Sequence, residues 1–136
     1  MGVSKNMKDK RDLLLTYINA NVAPILVDFI NAKDIDGVAL LPASVSKLEL
    51  NGHYEGKEFI PPKWLNEILS TEKTSVLIID KIDTISKEEQ LKFYELLKYK
   101  KISTFELPED TVIIITAEEI NNDKINEEIF SLAIRI

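Results

Sequence analysis

Cysteine is absent from all 136 residues. That excludes disulfides, thiol catalysis and thiolate metal sites. Histidine occurs once, as His53. With no second ligand beside it, it reads as a solvated loop residue rather than a metal ligand or catalytic base. A basic stripe is also lacking. Lys5, Lys8, Lys10 and Arg11 cluster near the N-terminus, against a formal net charge of -6. The balance argues against strong nucleic-acid binding and against a membrane surface as partner. No apolar run reaches membrane-spanning length, and no signal-peptide pattern opens the chain. A cytoplasmic location is expected. No internal repeat or low-complexity linker interrupts the sequence.

What remains is ordinary globular composition, 45% hydrophobic and 29% charged. The length suits one domain with a substantial core. Residues 1–10 are polar and read as a flexible lead-in, leaving 11–136 as a single domain.

The most informative stretch is 74–83, TSVLIIDKID. Val76, Leu77, Ile78 and Ile79 form a short continuous apolar run, with Ile82 beyond it. Such a run reads as a strand buried on both faces, the kind found in parallel sheets covered by helices. Asp80 stands at the carboxyl end of that run, where open α/β sheets bind ligands. It could equally cap the following turn.

Before this stretch, Leu13, Leu14, Leu15 and Ile18, with Thr16 and Tyr17, predict a first strand. Asn19 to Ala23 predict a turn, and Pro24 suits the first turn of a helix. Ile25, Leu26, Phe29 and Ile30 have the spacing of a helix face, and Asp36-Gly37 stops it. Val38 to Leu41 predict a second buried strand. Residues 44–59 predict a small exposed hairpin or irregular excursion, with Asn51-Gly52 as the turn. Pro61-Pro62 opens a helix with Trp64, Leu65, Ile68 and Leu69 on its apolar face.

After the central strand, Ser86 with Glu89 matches a capping box. Its helix is expected to reach about Tyr99. Ile102 to Leu107 suggest a short strand or hairpin arm, and Pro108-Glu109-Asp110 a turn. Val112 to Ile115 predict a strand ending at Thr116. A short helix with Ile125 and Ile129 precedes a last strand over 132–136. Strands alternating with helices predict an α/β fold in three layers, α/β/α, around a five-stranded, mostly parallel sheet.

From Phe59 onward the chain resembles the core of an AAA+ ATPase of the MoxR-like, dynein-related branch. Pro61, Pro62, Trp64 and Leu65 match a P-P-x-W-L segment that precedes the Walker B strand, itself matched by VLIIDKID. ELLKYKKI matches a helix ending in L-L and a basic stretch. FELPEDTVIIIT matches the approach to the sensor-1 strand. The resemblance implies a P-loop NTPase-like core with strand order 5-1-4-3-2 and, on this sequence, no helical lid domain.

The resemblance also implies sites that this sequence does not fill. The phosphate loop G-x-x-x-x-G-K-[ST] belongs between the first strand and first helix, a slot assigned to residues 17–24. Its glycines are replaced by Tyr17 and Val22, its lysine by Ala23 and its magnesium-holding hydroxyl by Pro24. Glycine lets backbone N–H groups approach phosphate, and proline lacks the N–H altogether. Each charge-assisted hydrogen bond lost removes roughly 1.5–3 kcal/mol. Asp80 survives from the Walker B pair, but Lys81 replaces the glutamate that would act as general base. Asp83 lies too far along to serve instead. The sensor-1 region reads Thr116-Ala117-Glu118 without asparagine. Phe130 stands nearest the arginine-finger position, with Arg135 inside the last strand.

The expectation is a catalytically inactive, AAA+-like pseudoenzyme with no cofactor, no metal and no catalytic residue. Its role would be protein interaction or regulation, beside an active AAA+ ATPase as one candidate partner. Two alternatives are a true nucleotide-binding ATPase with a non-standard phosphate loop, and a clamp-loader-like or phage replication accessory subunit. Tyr17, Ile18, Tyr54, Phe59, Tyr99 and Phe105 are the aromatic and apolar residues expected outside the core, and so the candidate interface anchors.

Overall fold

The computed structural model describes residues 2–37, 39–72 and 75–136, with the side chains of the first helix from Asp9 onward. Val38 of the expected second strand and Thr74 of the central stretch lie outside the described residues.

Elements follow in the order α1 (Gly2–Ala20), β1 (Ile25–Asp28), β2 (Ala39–Pro42), α2 (Lys47–Asn51), β3 (His53–Glu55), β4 (Glu58–Ile60) and α3 (Lys63–Ser70). Then come β5 (Val76–Asp80), α4 (Lys87–Gln90), α5 (Tyr94–Tyr99), β6 (Lys101–Ile102), β7 (Phe105–Glu106), β8 (Val112–Ala117), α6 (Glu127–Leu132) and β9 (Ile134–Arg135). Five strands make one sheet in the order β2-β5-β8-β1-β9, every pairing parallel. Numbered among themselves along the chain, these strands stand in the order 2-3-4-1-5. The pairs β3–β4 and β6–β7 are separate antiparallel hairpins.

The fold is therefore α/β, and its central strands behave as their apolar runs dictate. Successive side chains of a strand point to opposite faces. Leu77 and Ile79 of β5, and Ile113 and Ile115 of β8, enter the larger core with Trp64, Leu65, Phe93, Leu96 and Ile129. Their neighbours Val76, Ile78, Val112 and Ile114 enter a smaller core with Leu14, Ile25, Val27 and Ile30. Helices α3, α5 and α6 cover the first face, while α1 and the β1–β2 connection cover the second.

The start of the chain corrects two expectations. Leu13, Leu14, Leu15 and Ile18 belong to the long helix α1 rather than to a strand. Leu14 is buried and Tyr17 and Ile18 are half-buried, while Leu13, Leu15 and Thr16 are exposed, a helical distribution. Ile25 and Leu26 belong to strand β1 rather than to a helix, and Phe29 and Ile30 follow it. Both apolar runs are short enough to suit either state, and only tertiary packing decides between them. Helix α1 also runs through residues 2–10, read from the sequence as a flexible lead-in.

Asn51-Gly52 is a helix end, not a hairpin turn. Gly52 adopts φ 73° at the end of α2, and its N–H donates to Leu48 O. A Cβ there would lie 2.5 Å from Ile60 O, so glycine is required. The hairpin of the excursion turns later, at Gly56-Lys57. The Ser86 cap forms as read, Glu89 N donating to Ser86 Oγ at 3.1 Å. The helix it opens is broken by a 3-10 turn over Leu91–Phe93, which divides α4 from α5.

Candidate functional site

Parallel sheets of this kind present their ligand crevice beyond the carboxyl ends of the strands, where the strand order reverses direction. Here β1 ends in Asp28 and β5 ends in Asp80. Both strands then leave the sheet through a non-glycine residue in the left-handed region, Phe29 at φ 59° and Lys81 at φ 61°. That conformation costs roughly 1–2 kcal/mol for an L-residue. A cavity of about 190 Å³ lies at this point, lined by Phe29, Asn31, Asp80, Lys81, Thr116 and Glu118 among others.

Both strand-end carboxylates are engaged internally. Asp28 is buried, and its Oδ1 lies 2.6 Å from the Lys10 ammonium of α1. Its Oδ2 accepts the Ile120 N–H at 2.8 Å. Lys10 also donates to Asp28 O at 3.2 Å and sits 5.4 Å from the centre of the exposed Phe29 ring. Asp80 Oδ1 accepts the Thr116 hydroxyl at 2.7 Å. Thr116 Oγ1 in turn accepts the Lys81 N–H at 2.9 Å, which holds the left-handed exit from β5. Asp83 receives Glu118 N–H at 3.0 Å and Glu119 N–H at 3.3 Å, so it fastens the loop after β8 rather than facing the cavity.

Of the residues singled out in the sequence, Asp80, Lys81, Thr116 and Glu118 meet at this cavity. Tyr17, Val22, Ala23 and Pro24 do not. They occupy the end of α1 and the link into β1, ahead of the first strand instead of behind it. Tyr17 packs against the smaller core, Val22 is 72% exposed, and Pro24 O accepts Ile134 N–H. The residues that do follow β1 are 29–37. Their only helical turn is the 3-10 segment Ala32–Asp34, capped by Asn31. No glycine occurs in this stretch before Gly37. A three-residue turn offers no row of free N–H groups to an anion.

The remaining candidates have structural partners. His53 Nε2 lies 3.4 Å from Glu55 Oε1 on the exposed hairpin. The Arg135 guanidinium lies 4.6 Å from the centre of the Phe130 ring. Tyr54 and Phe59 meet across that hairpin with ring centres 5.3 Å apart, Tyr54 exposed and Phe59 packed against the core. Tyr99 is also exposed, while Ile18 and Phe105 pack against the two cores. Among the described residues, no group of three or more His, Asp or Glu side chains could hold a metal ion. None of the helices described is long and apolar enough to cross a membrane.

Sequence reasoning missed Lys10, Asp28 and Phe29. The signal was present: ILVD at β1 repeats the pattern of VLIID at β5, an apolar run closed by aspartate.

Three lysines away from the cavity have shifted pKa values. Burial pushes Lys100 down, where its ammonium binds Asn21 Oδ1 at 3.2 Å and Glu109 O at 3.1 Å. Burial likewise lowers Lys92. A hydrogen bond from Lys98 to the Tyr94 hydroxyl raises Lys98.

No protein-family model and no curated protein matches this sequence.

Proposed function

We propose that this chain is a degenerate AAA+-like domain of the P-loop NTPase type that works by contacting other proteins, not by hydrolysing nucleotide. The strand order supports the fold reading, since counting from β9 it reads 5-1-4-3-2 with every strand parallel. One observation carries the functional reading. The two strand-end carboxylates are engaged by the chain's own groups, Asp28 by Lys10 and Asp80 by Thr116, and the cavity beside Asp80 measures only about 190 Å³.

The residues there do not fit a magnesium triphosphate. Ligand clefts usually measure about 300–1,000 Å³. The loop after β1 supplies neither the glycines nor the helix start that phosphate requires. Lys81 stands where a general base would be needed, and it brings the opposite charge. A net charge of -6 repels polyanions, so nucleic acid is a poor partner as well. A protein partner, with an active AAA+ ATPase as one candidate, and a cytoplasmic setting complete the proposal.

Calorimetric titration with magnesium ATP and magnesium ADP tests it. The heat should stay flat to millimolar nucleotide, with wild type and Asp80→Ala alike. A micromolar isotherm that Asp80→Ala abolishes would instead establish a nucleotide-binding domain with a non-standard loop.

A further inference from the structure

The two faces of the sheet are covered unequally. Between α1 and the loop after β1 a groove of about 590 Å³ stays open on the thinner face. Arg11, Leu14, Leu15 and Ile18 form its α1 wall. Their spacing of three and four puts them on one helical stripe. Leu14 is buried by the sheet, yet Leu15 beside it is 58% exposed. Ile30 and Val76 add apolar surface opposite. Asp34, Asp36 and Asp110 also line the groove, and all three are exposed. Arg11 is committed to Asp34 at 3.4 Å. Among the described residues, no ion pair engages Asp36 or Asp110.

We propose that this groove receives a short amphipathic helix of a partner protein, with leucine-like residues on one face and lysine or arginine beside them. The inference rests on reading the chain as a protein-interaction domain. The groove runs along a helix and over a sheet face, where no strand edge offers backbone hydrogen bonds. An occupant must therefore satisfy its own backbone, as a helix does. Residues 11 to 18 span roughly 11 Å at 1.5 Å per residue. That length matches two turns of a partner helix, with apolar anchors at i, i+3 and i+7. Charge decides the flanks. Among the described residues lining the groove, three aspartates, Asp34, Asp36 and Asp110, stand against one cation, Arg11, and the chain carries a net charge of -6. An acidic helix would set like charges together, whereas a basic one supplies the missing counter-charge.

The test uses the full chain and two fluorescein-labelled peptides of about fifteen residues, long enough for appreciable helicity. One carries leucine at helical spacing with lysine between, and the other replaces each lysine by glutamate. Fluorescence anisotropy should show the lysine peptide binding at least about tenfold more tightly than the glutamate peptide. Leu15→Asp, and separately the double variant Asp36→Lys with Asp110→Lys, should each weaken the lysine peptide at least about tenfold. These positions are exposed, so circular dichroism should show the fold retained. Tyr54→Asp, on the distant hairpin, should leave binding unchanged.

Equal binding of both peptides, or indifference to Leu15→Asp, would overturn the inference. So would an equal loss in Tyr54→Asp. Sedimentation of the chain as a dimer that Leu15→Asp dissolves would overturn it too, since a second copy would then fill the groove. Absence of peptide binding with flat nucleotide calorimetry removes this inference alone. A nucleotide isotherm abolished by Asp80→Ala removes the reading beneath it.

Discussion

The Lys10 ammonium stands 2.6 Å from Asp28 Oδ1, and this pair fastens α1 to the carboxyl end of β1. Asp28 keeps 11% of its side chain exposed and Lys10 keeps 22%, so neither is fully solvated. A pair in this setting is worth more than a surface ion pair and less than a fully buried one. Lys10→Met leaves a mostly buried carboxylate without its cation and should cost about 2 kcal/mol. Asp28→Asn keeps an acceptor for Ile120 N–H but loses the charge, and should cost a similar amount. Urea denaturation of both single variants and the double variant closes the cycle. A coupling of about 1 kcal/mol or more is expected. Additive losses would mean that α1 is held by its leucines alone.

That pair was also the least legible feature of the sequence. Reading the Leu13-Leu14-Leu15 run as a strand displaces the first strand and the first helix, while the strand expected at Val38 to Leu41 coincides with β2. The slot expected for a phosphate loop then falls at Tyr17 to Pro24, which lies ahead of β1 rather than behind it. The run is too short for periodicity to separate a buried strand from a helix face. Pro24 was a misleading marker, since proline suits the residue before a strand as well as a helix start. The middle and end of the chain were easier. Four apolar residues before Asp80, and the run from Val112 to Ile115, have few ways to be buried except as central parallel strands. Asp80, Lys81, Thr116 and Glu118 could be placed together because they sit on the ends of those strands. Lys10 could not, because its partner is eighteen residues away across a turn whose geometry only packing sets.

Lys92 should give the stability a recognisable pH dependence. Its side chain is 6% exposed, and its ammonium donates to Val45 O at 2.6 Å. Burial lowers its pKa below the ordinary 10.5; Glu89 partly opposes this, and Lys47 adds to it. In the window just below 10.5 the unfolded chain therefore binds more protons at this site than the folded chain. Stability contributed by this site rises with pH through that window. Lys92→Met removes the titration. Urea midpoints at about pH 7.5 and pH 10 should show wild type gaining on the variant as pH rises. A constant gap would show that burial does not shift this ammonium, and a gap that moves the other way would show that Glu89 outweighs burial.

Two threonines at β8 should respond in opposite directions to the same substitution. Thr111 is fully buried just before the strand, and its hydroxyl has no hydrogen-bond partner among the described residues. A buried hydroxyl without a partner costs roughly 1–3 kcal/mol in desolvation. Valine has nearly the same shape and no such group, so Thr111→Val should stabilise the fold by about 1 kcal/mol. For a domain of this size that is a rise of roughly 4 °C in Tm. Thr116 is as deeply placed, at 2% exposed, but its hydroxyl donates to Asp80 at 2.7 Å and accepts from Lys81 N at 2.9 Å. Thr116→Val strands both partners and removes the bond that holds Lys81 in its left-handed turn. It should destabilise by about 2 kcal/mol. Thermal unfolding of the two variants, side by side, separates a hydroxyl that is merely buried from one that organises the strand-end crevice. A drop at Thr111 would reveal a partner for its hydroxyl. An unchanged Tm at Thr116 would show that Asp80 and Lys81 hold their positions unaided.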